Sequence, residues 1–233
     1  MSLPIDEQLD HVHEATQRLV RGVDALADTA YAEPSLLPDW SRGHVVAHLA
    51  LNAEGLAGVL IGVRHGEGVP MYASREARNR DIEELATARP GVVRDRLLAA
   101  TTAFHQAAHG VPGDAWATRF EWSPGGPSFS AFASVGMRWR EVEIHHADLG
   151  AGYDRGQWPA PFAVHVIERL GKRLAETSSF TARAVDLERS WSFGDGGPTV
   201  SGSAADLAWW LTGRGAGDGL TSDSDELPRI EAW

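Results

Sequence analysis

The chain contains no cysteine. This absence excludes a disulfide framework, a thiolate metal site and a sulfur nucleophile belonging to the protein itself. Any thiol chemistry must arrive on a ligand. Basic charge is also scarce: 21 Lys and Arg stand against 32 Asp and Glu, for a formal net charge of -11. Non-specific binding to nucleic acid or anionic lipid needs a basic surface that displaces counterions, so neither partner is expected. An anionic small molecule is compatible with this charge only where local arginines outweigh the global field. No apolar run reads as long as the roughly 20 residues that cross a bilayer. The opening MSLPIDEQLD is acidic where a signal peptide is basic. A cytoplasmic location is the expectation.

The chain has 233 residues, 43% hydrophobic and 23% charged, the composition of an ordinary globular protein. Length alone allows one large domain or two modest ones. Ile5, Leu9, Val12, Ala15, Leu19, Val23 and Leu26 step by three and four, which predicts an amphipathic helix over residues 5 to 28. After the turn-rich EPSLLPDW, Asp39 or Ser41 can cap a second helix over 42–59. The glycine-containing GVRHGEGVPMYAS reads as a loop leading to a short polar helix over 75–87. Pro90 and Gly91 break it, and Val93, Leu97, Ala100, Phe104 and Ala107 mark the next helix. FEWSPGGPSFS reads as a loop, and Phe132, Val135, Trp139 and Val142 place a helix over 131–147.

Four principal helices and a short extra one predict an antiparallel bundle over residues 1–150. Composition shifts at GAGYDRGQWPAP, which predicts a linker and a second domain over 151–233. There a helix over 162–176 precedes strand-like ARAVDLERSWSF; GDGG reads as a hairpin turn into extended PTVSG, and Ser203 caps a last helix ending near Gly213. The fold class is α+β. The polar tail from Gly215 to Trp233 reads as poorly ordered.

Residues four apart lie on one face of a helix, so Glu141 and His145 can offer a carboxylate oxygen and an imidazole nitrogen to one ion. An intrahelical Glu/His ion pair accounts for the same spacing. A histidine from the second helix can complete three ligands across the bundle axis, where such folds build metal sites. His44 and His48 lie four apart and compete for that role. Three His and Glu ligands with an open fourth position are the pattern of catalytic zinc. Asp148, three residues after His145, can orient the imidazole from behind or simply face solvent. His146 points to another face.

PSLLPDWSRGHVVAHLALNAEGL, VPMYASREARNRDIE, RWREVEIHHADLG and VSGSAADLAWWLTGR, in this order, resemble successive motifs of the mycothiol-dependent maleylpyruvate isomerases, a DinB-like family. The similarity runs from about residue 5 to Arg214. It implies zinc held by His48, Glu141 and His145, which sets His44 aside, and it implies a role in activity for Arg214 of the W-L-x-G-R motif. It also implies mycothiol as thiol, maleylpyruvate as a small anionic substrate, and a place in aromatic degradation of the gentisate type. Isomerising a cis enedione acid requires its double bond to become single for a time. A thiolate achieves this by adding and later leaving, and a metal ion makes a thiolate available near neutral pH.

A substrate with carboxylates calls for guanidinium groups, which grip them with two parallel hydrogen bonds. Arg214 comes first, then Arg80, Arg78 and Arg138, with Asn52 and Tyr72 as further cavity residues. For Arg214 service to the helix C-terminus and its dipole, for the other three arginines a solvated helix surface, and for Asn52 and Tyr72 simple packing, are the alternatives. Two other functions fit the same centre: a thiol S-transferase that releases its adduct, and a non-catalytic binding protein for a thiol or small acid.

Overall fold

The computed structural model describes residues 3–224 and 226–230. The chain divides into two compact units between Tyr153 and Asp154. The first holds α1 (Ile5–Asp24), α2 (Arg42–Arg64), α3 (Arg75–Ala86), α4 (Pro90–His109) and α5 (Ala131–Asp148), with a hairpin of β1 (Arg119–Glu121) and β2 (Ser128–Ser130) before α5. The apolar stripe of α1 buries Leu9, Val12, Ala15, Leu19 and Val23. The helix stops at Asp24, short of residue 28, and Asp28–Ala32 forms a separate 3-10 turn. Arg94 of α4 ties that corner down by donating to Leu26 O (3.3 Å) and Asp28 Oδ1 (2.6 Å).

Helix α2 runs one turn beyond its predicted end, because Leu60, Gly62 and Val63 are buried as well. Its 18-residue core has a mean hydropathy of 1.6, long and apolar enough to span a bilayer, which corrects the reading that no such stretch exists. Here 78% of that window is buried within the protein, as befits a central helix apolar on all sides. Contacts fix helix direction. His11 stacks on Trp139 and Arg18 meets Glu143, so α1 and α5 run parallel. Arg138 reaches Asn52 while Arg42 reaches Leu149 O, so α2 and α5 run antiparallel. The four long helices form a bundle in which α2 and α5 face each other.

FEWSPGGPSFS is not a plain loop. Its ends pair as β1 and β2, with Phe120 opposite Phe129, around a turn where Gly125 has φ 74°. Three-residue strands are too short for alternation to show in sequence. The segment after α2 lies along this hairpin, Met71 N donating to Glu121 O (2.9 Å) and Tyr72 N to Trp122 O (3.0 Å).

The second unit holds α6 (Ala160–Leu174), β3 (Phe180–Ala184), β4 (Arg189–Phe193), β5 (Thr199–Gly202), α7 (Ala204–Leu211) and β6 (Thr221–Ser222). Sheet order is β4-β3-β5-β6. GDGG therefore does not close a hairpin: β4 pairs with β3, and the chain passes the start of β3 to lay β5 parallel on its other side. Gly197 permits the crossing, since its φ is 139° and an added Cβ would stand 2.4 Å from Ser179 O. Part of the tail is ordered too, because β6 pairs with β5; the reading of disorder at residues 225 and 231–233 lies outside the described residues.

One buried charge organises the α1/α5 seam. Glu143 is fully buried, accepts from Arg18 Nη2 at 2.6 Å and from the Tyr153 hydroxyl, and lies on the side of α5 away from Glu141. Replacing Arg18 with Ala strands a buried carboxylate. Urea unfolding of Arg18→Ala is expected to show a loss of about 3 kcal/mol in the stability of the first unit.

Candidate metal centre

Two capping interactions set the register that builds the site. Ser41 accepts from His44 N at the start of α2, and His44 Nδ1 lies 3.2 Å from Ser41 N, so the His44 ring completes a capping box. Its other nitrogen is 3.2 Å from Glu83. His44 is thus engaged at the helix start, while His48, one turn on, is buried and faces α5. Ser130 caps α5 in the same manner, accepting from Ala133 N.

His48, Glu141 and His145 converge. One ligand atom from each lies within 4.8 Å of the others, and among the described residues this is the one group of three or more such side chains that does so. His48 Nε2 stands 2.7 Å from Glu141 Oε2, and His145 Nε2 stands 3.4 Å from the same oxygen. The two imidazoles meet edge to face, with centroids 4.7 Å apart. Atoms bound to one zinc ion at about 2.0–2.1 Å lie roughly 3 Å from one another, so these three fit such an ion with little movement.

The surroundings prepare the ligands. Asp148, 1% exposed, holds His145 Nδ1 at 2.8 Å, which fixes the ring and leaves Nε2 directed at the cluster. Burial lowers the His48 pKa to about 4, outweighing the pull of Glu141, so its imidazole is neutral. Burial opposes ionisation of Glu141, yet His48 and His145 together hold its carboxyl well below the usual range. Burial also works against charge on His145, but its hydrogen bonds to the Asp148 and Glu141 carboxylates prevail and raise its pKa. Trp40 covers His48 edge-on at 5.6 Å. Neither its position nor that of Trp122 at the rim was legible as a site feature, although Trp40 directly precedes the Ser41 cap.

The remaining expected residues separate into groups. Asn52 is buried and accepts from Arg138 Nη1 at 2.8 Å; Arg138 is fully buried and also donates to Leu49 O at 2.9 Å. Burial lowers the Arg138 pKa to about 10, so it stays charged at neutral pH. Tyr72 is half-buried against Trp122 (5.0 Å), and burial raises its pKa to about 12. Arg78 reaches the cluster itself, with Nη2 3.0 Å from His48 Nδ1 and its guanidinium 5.7 Å from the Tyr72 ring centre. Arg80 does not: two positions further along α3 it is exposed and bridges Asp81. Arg214 belongs to the second unit, where it donates to Thr212 O (3.4 Å) and lies 5.8 Å from the Trp209 ring centre.

A four-helix bundle that aims two histidines and a glutamate at one point has the architecture of a bundle metal site. Residues 12–150 match the family model of the mycothiol maleylpyruvate isomerase N-terminal domain, and the chain belongs to that family. A crystal structure of a mycothiol-dependent maleylpyruvate isomerase superposes with a TM-score of 0.90 and 29% identity, over 99% of this chain and 98% of the other. A histidine-to-alanine mutant of such an isomerase gives 0.89 and 28% over the same shares. YfiT from Bacillus subtilis, described as a probable metal-dependent hydrolase with an unusual four-helix bundle topology, gives 0.54 at 15% identity, over 64% of this chain and 87% of its own. That last likeness is one of fold. A search of curated proteins finds no match.

Asp148→Asn keeps the shape but loses the charge behind His145. It is expected to weaken zinc binding by about 10- to 100-fold, measured by competition with a chromogenic chelator.

Proposed function

We propose that this protein is a zinc- and thiol-dependent cis-trans isomerase that converts maleylpyruvate to fumarylpyruvate with mycothiol as the thiol. The observation that carries the reading is the convergence of His48, Glu141 and His145 from facing helices, in a chain whose fold and family are those of maleylpyruvate isomerases. His48, Glu141 and His145 would hold the zinc, leaving a coordination position open. Zinc bound there would supply acidity, lowering the pKa of an incoming thiol so that it is present as thiolate near neutral pH.

The balance of the reaction is closed without an oxidant or reductant. The thiolate sulfur bonds to one alkene carbon while the π electrons move onto the conjugated carbonyl. The former double bond, now single, rotates. The enolate electrons then re-form the double bond as the carbon–sulfur bond breaks, returning the thiolate. The protein's part is to hold and orient. Asp148 fixes His145, burial keeps His48 neutral, and Arg78 and Tyr72 at the rim place a cation and a hydroxyl beside the reacting carbonyl or carboxylate. Arg214 is assigned to binding or stabilising substrate charge. Arg80, engaged with Asp81 at the surface, is not part of this reading.

The test is product analysis with maleylpyruvate and mycothiol on zinc-loaded protein. Fumarylpyruvate without net thiol consumption is the expected result; accumulating adduct without isomerisation would instead mark an S-transferase. His48→Ala is expected to lose metal and turnover together. Arg214→Ala is expected to keep its zinc by elemental analysis while kcat/KM falls about 100-fold.

A further inference from the structure

We propose that the Nε–Nη2 edge of Arg138 is a carboxylate anchor, a buried seat for one carboxylate of the anionic substrate, one helical turn from Glu141. The proposal rests on the reading of the site as one for a small anionic substrate and names the group that would hold it. Arg138 is 0% exposed. Its Nη1 makes both of its hydrogen bonds to neutral oxygens, Leu49 O and Asn52 Oδ1, which fixes the plane of the guanidinium. Nε and Nη2 are buried and have no hydrogen-bond partner. Buried donors on a charged group are rarely left unsatisfied, because nothing repays their lost hydration.

The geometry of the unused atoms narrows the ligand. Nε–H and one Nη2–H point the same way from one side of the guanidinium, which is the arrangement that receives both oxygens of a carboxylate. Three half-buried arginines of the first unit are matched with carboxylates, Arg18 with Glu143, Arg42 with Glu33 and Arg94 with Asp28. Arg138 has no such partner. Charge points the same way. Glu141 and Asp148 contribute two negative charges, Arg138 and Arg78 two positive ones, and a divalent ion adds two more. A thiolate and one carboxylate together would bring the site to neutrality.

The edge is closed to solvent, so a ligand reaches it by displacing a neighbour. Tyr72 is half-buried, packs against Trp122 and Arg78, and is carried by the irregular segment between α2 and α3. A purely structural Arg138 would do something different: it would tie α5 to α2 and balance Glu141, and its loss would appear as lost metal or lost fold.

Maleate, a cis dicarboxylate without the reactive ketone, is the probe. Calorimetric titration into the zinc-loaded wild type is expected to show binding, and Arg138→Lys is expected to weaken it about tenfold or more while zinc content and melting temperature stay near wild type. KM for maleylpyruvate should rise more than kcat falls. If Arg138→Lys does not fold, Asn52→Ala carries the test: it releases Nη1, lets the guanidinium turn, and should raise the maleate Kd several-fold. Unchanged maleate binding in a folded, metallated Arg138→Lys protein would overturn the anchor, as would loss of zinc on that substitution or failure of the wild type to bind maleate. Maleate binding that depends on Arg138 in a protein that does not isomerise maleylpyruvate would leave the anchor standing and remove the isomerase reading.

Discussion

The contact between His48 of α2 and Glu141 of α5 is the constraint around which the first unit is arranged. Two helices must face each other antiparallel, at a register set by their caps, before a carboxylate and an imidazole from different parts of the chain can share one point. The apolar character of α2 on all sides serves that end, because a helix buried all round has its orientation fixed by packing. A polar cluster then survives inside an apolar core because its ligand side chains are held by polar neighbours: Asp148 behind His145 and Arg78 behind His48.

The two buried charge systems on α5 illustrate how one helix serves two purposes. Glu141 and Glu143 are two residues apart and so face different sides. Glu143 is closed off by Arg18 and Tyr153 and holds α1 against α5. Glu141 faces α2, where His48 joins His145 of α5 itself in place of a carboxylate-bound arginine and leaves room for a metal ion. What each carboxylate meets is decided by the partner helix, and not by the residue type.

That division explains what the sequence disclosed. Spacing of four on a strongly periodic helix was enough to pair Glu141 with His145. It could not choose between His44 and His48, which lie on the same face four apart; the choice emerges from the capping box, in which the His44 ring takes the place usually held by Glu or Gln. The helices were legible because their apolar periodicity is long. The β1–β2 hairpin and the parallel pairing of β3 with β5 were not, since strands of three to five residues carry little pattern and a glycine-rich turn looks the same whether the chain returns beside its neighbour or crosses past it. Arg80 and Arg78 show the same limit at the scale of a single helix, where two positions turn one guanidinium toward the cluster and the other to solvent.

His48 and Glu141 are separated by 93 positions along the chain. Joining them closes a large loop, and the entropy of that closure is lost whether or not an ion is present. A half-assembled bundle therefore has no cradle for metal, and any ion held there selects the finished fold over all looser forms. An ion bound there would thus add its binding free energy to the assembled α2–α5 pair alone, so its affinity would read out how completely the bundle has closed.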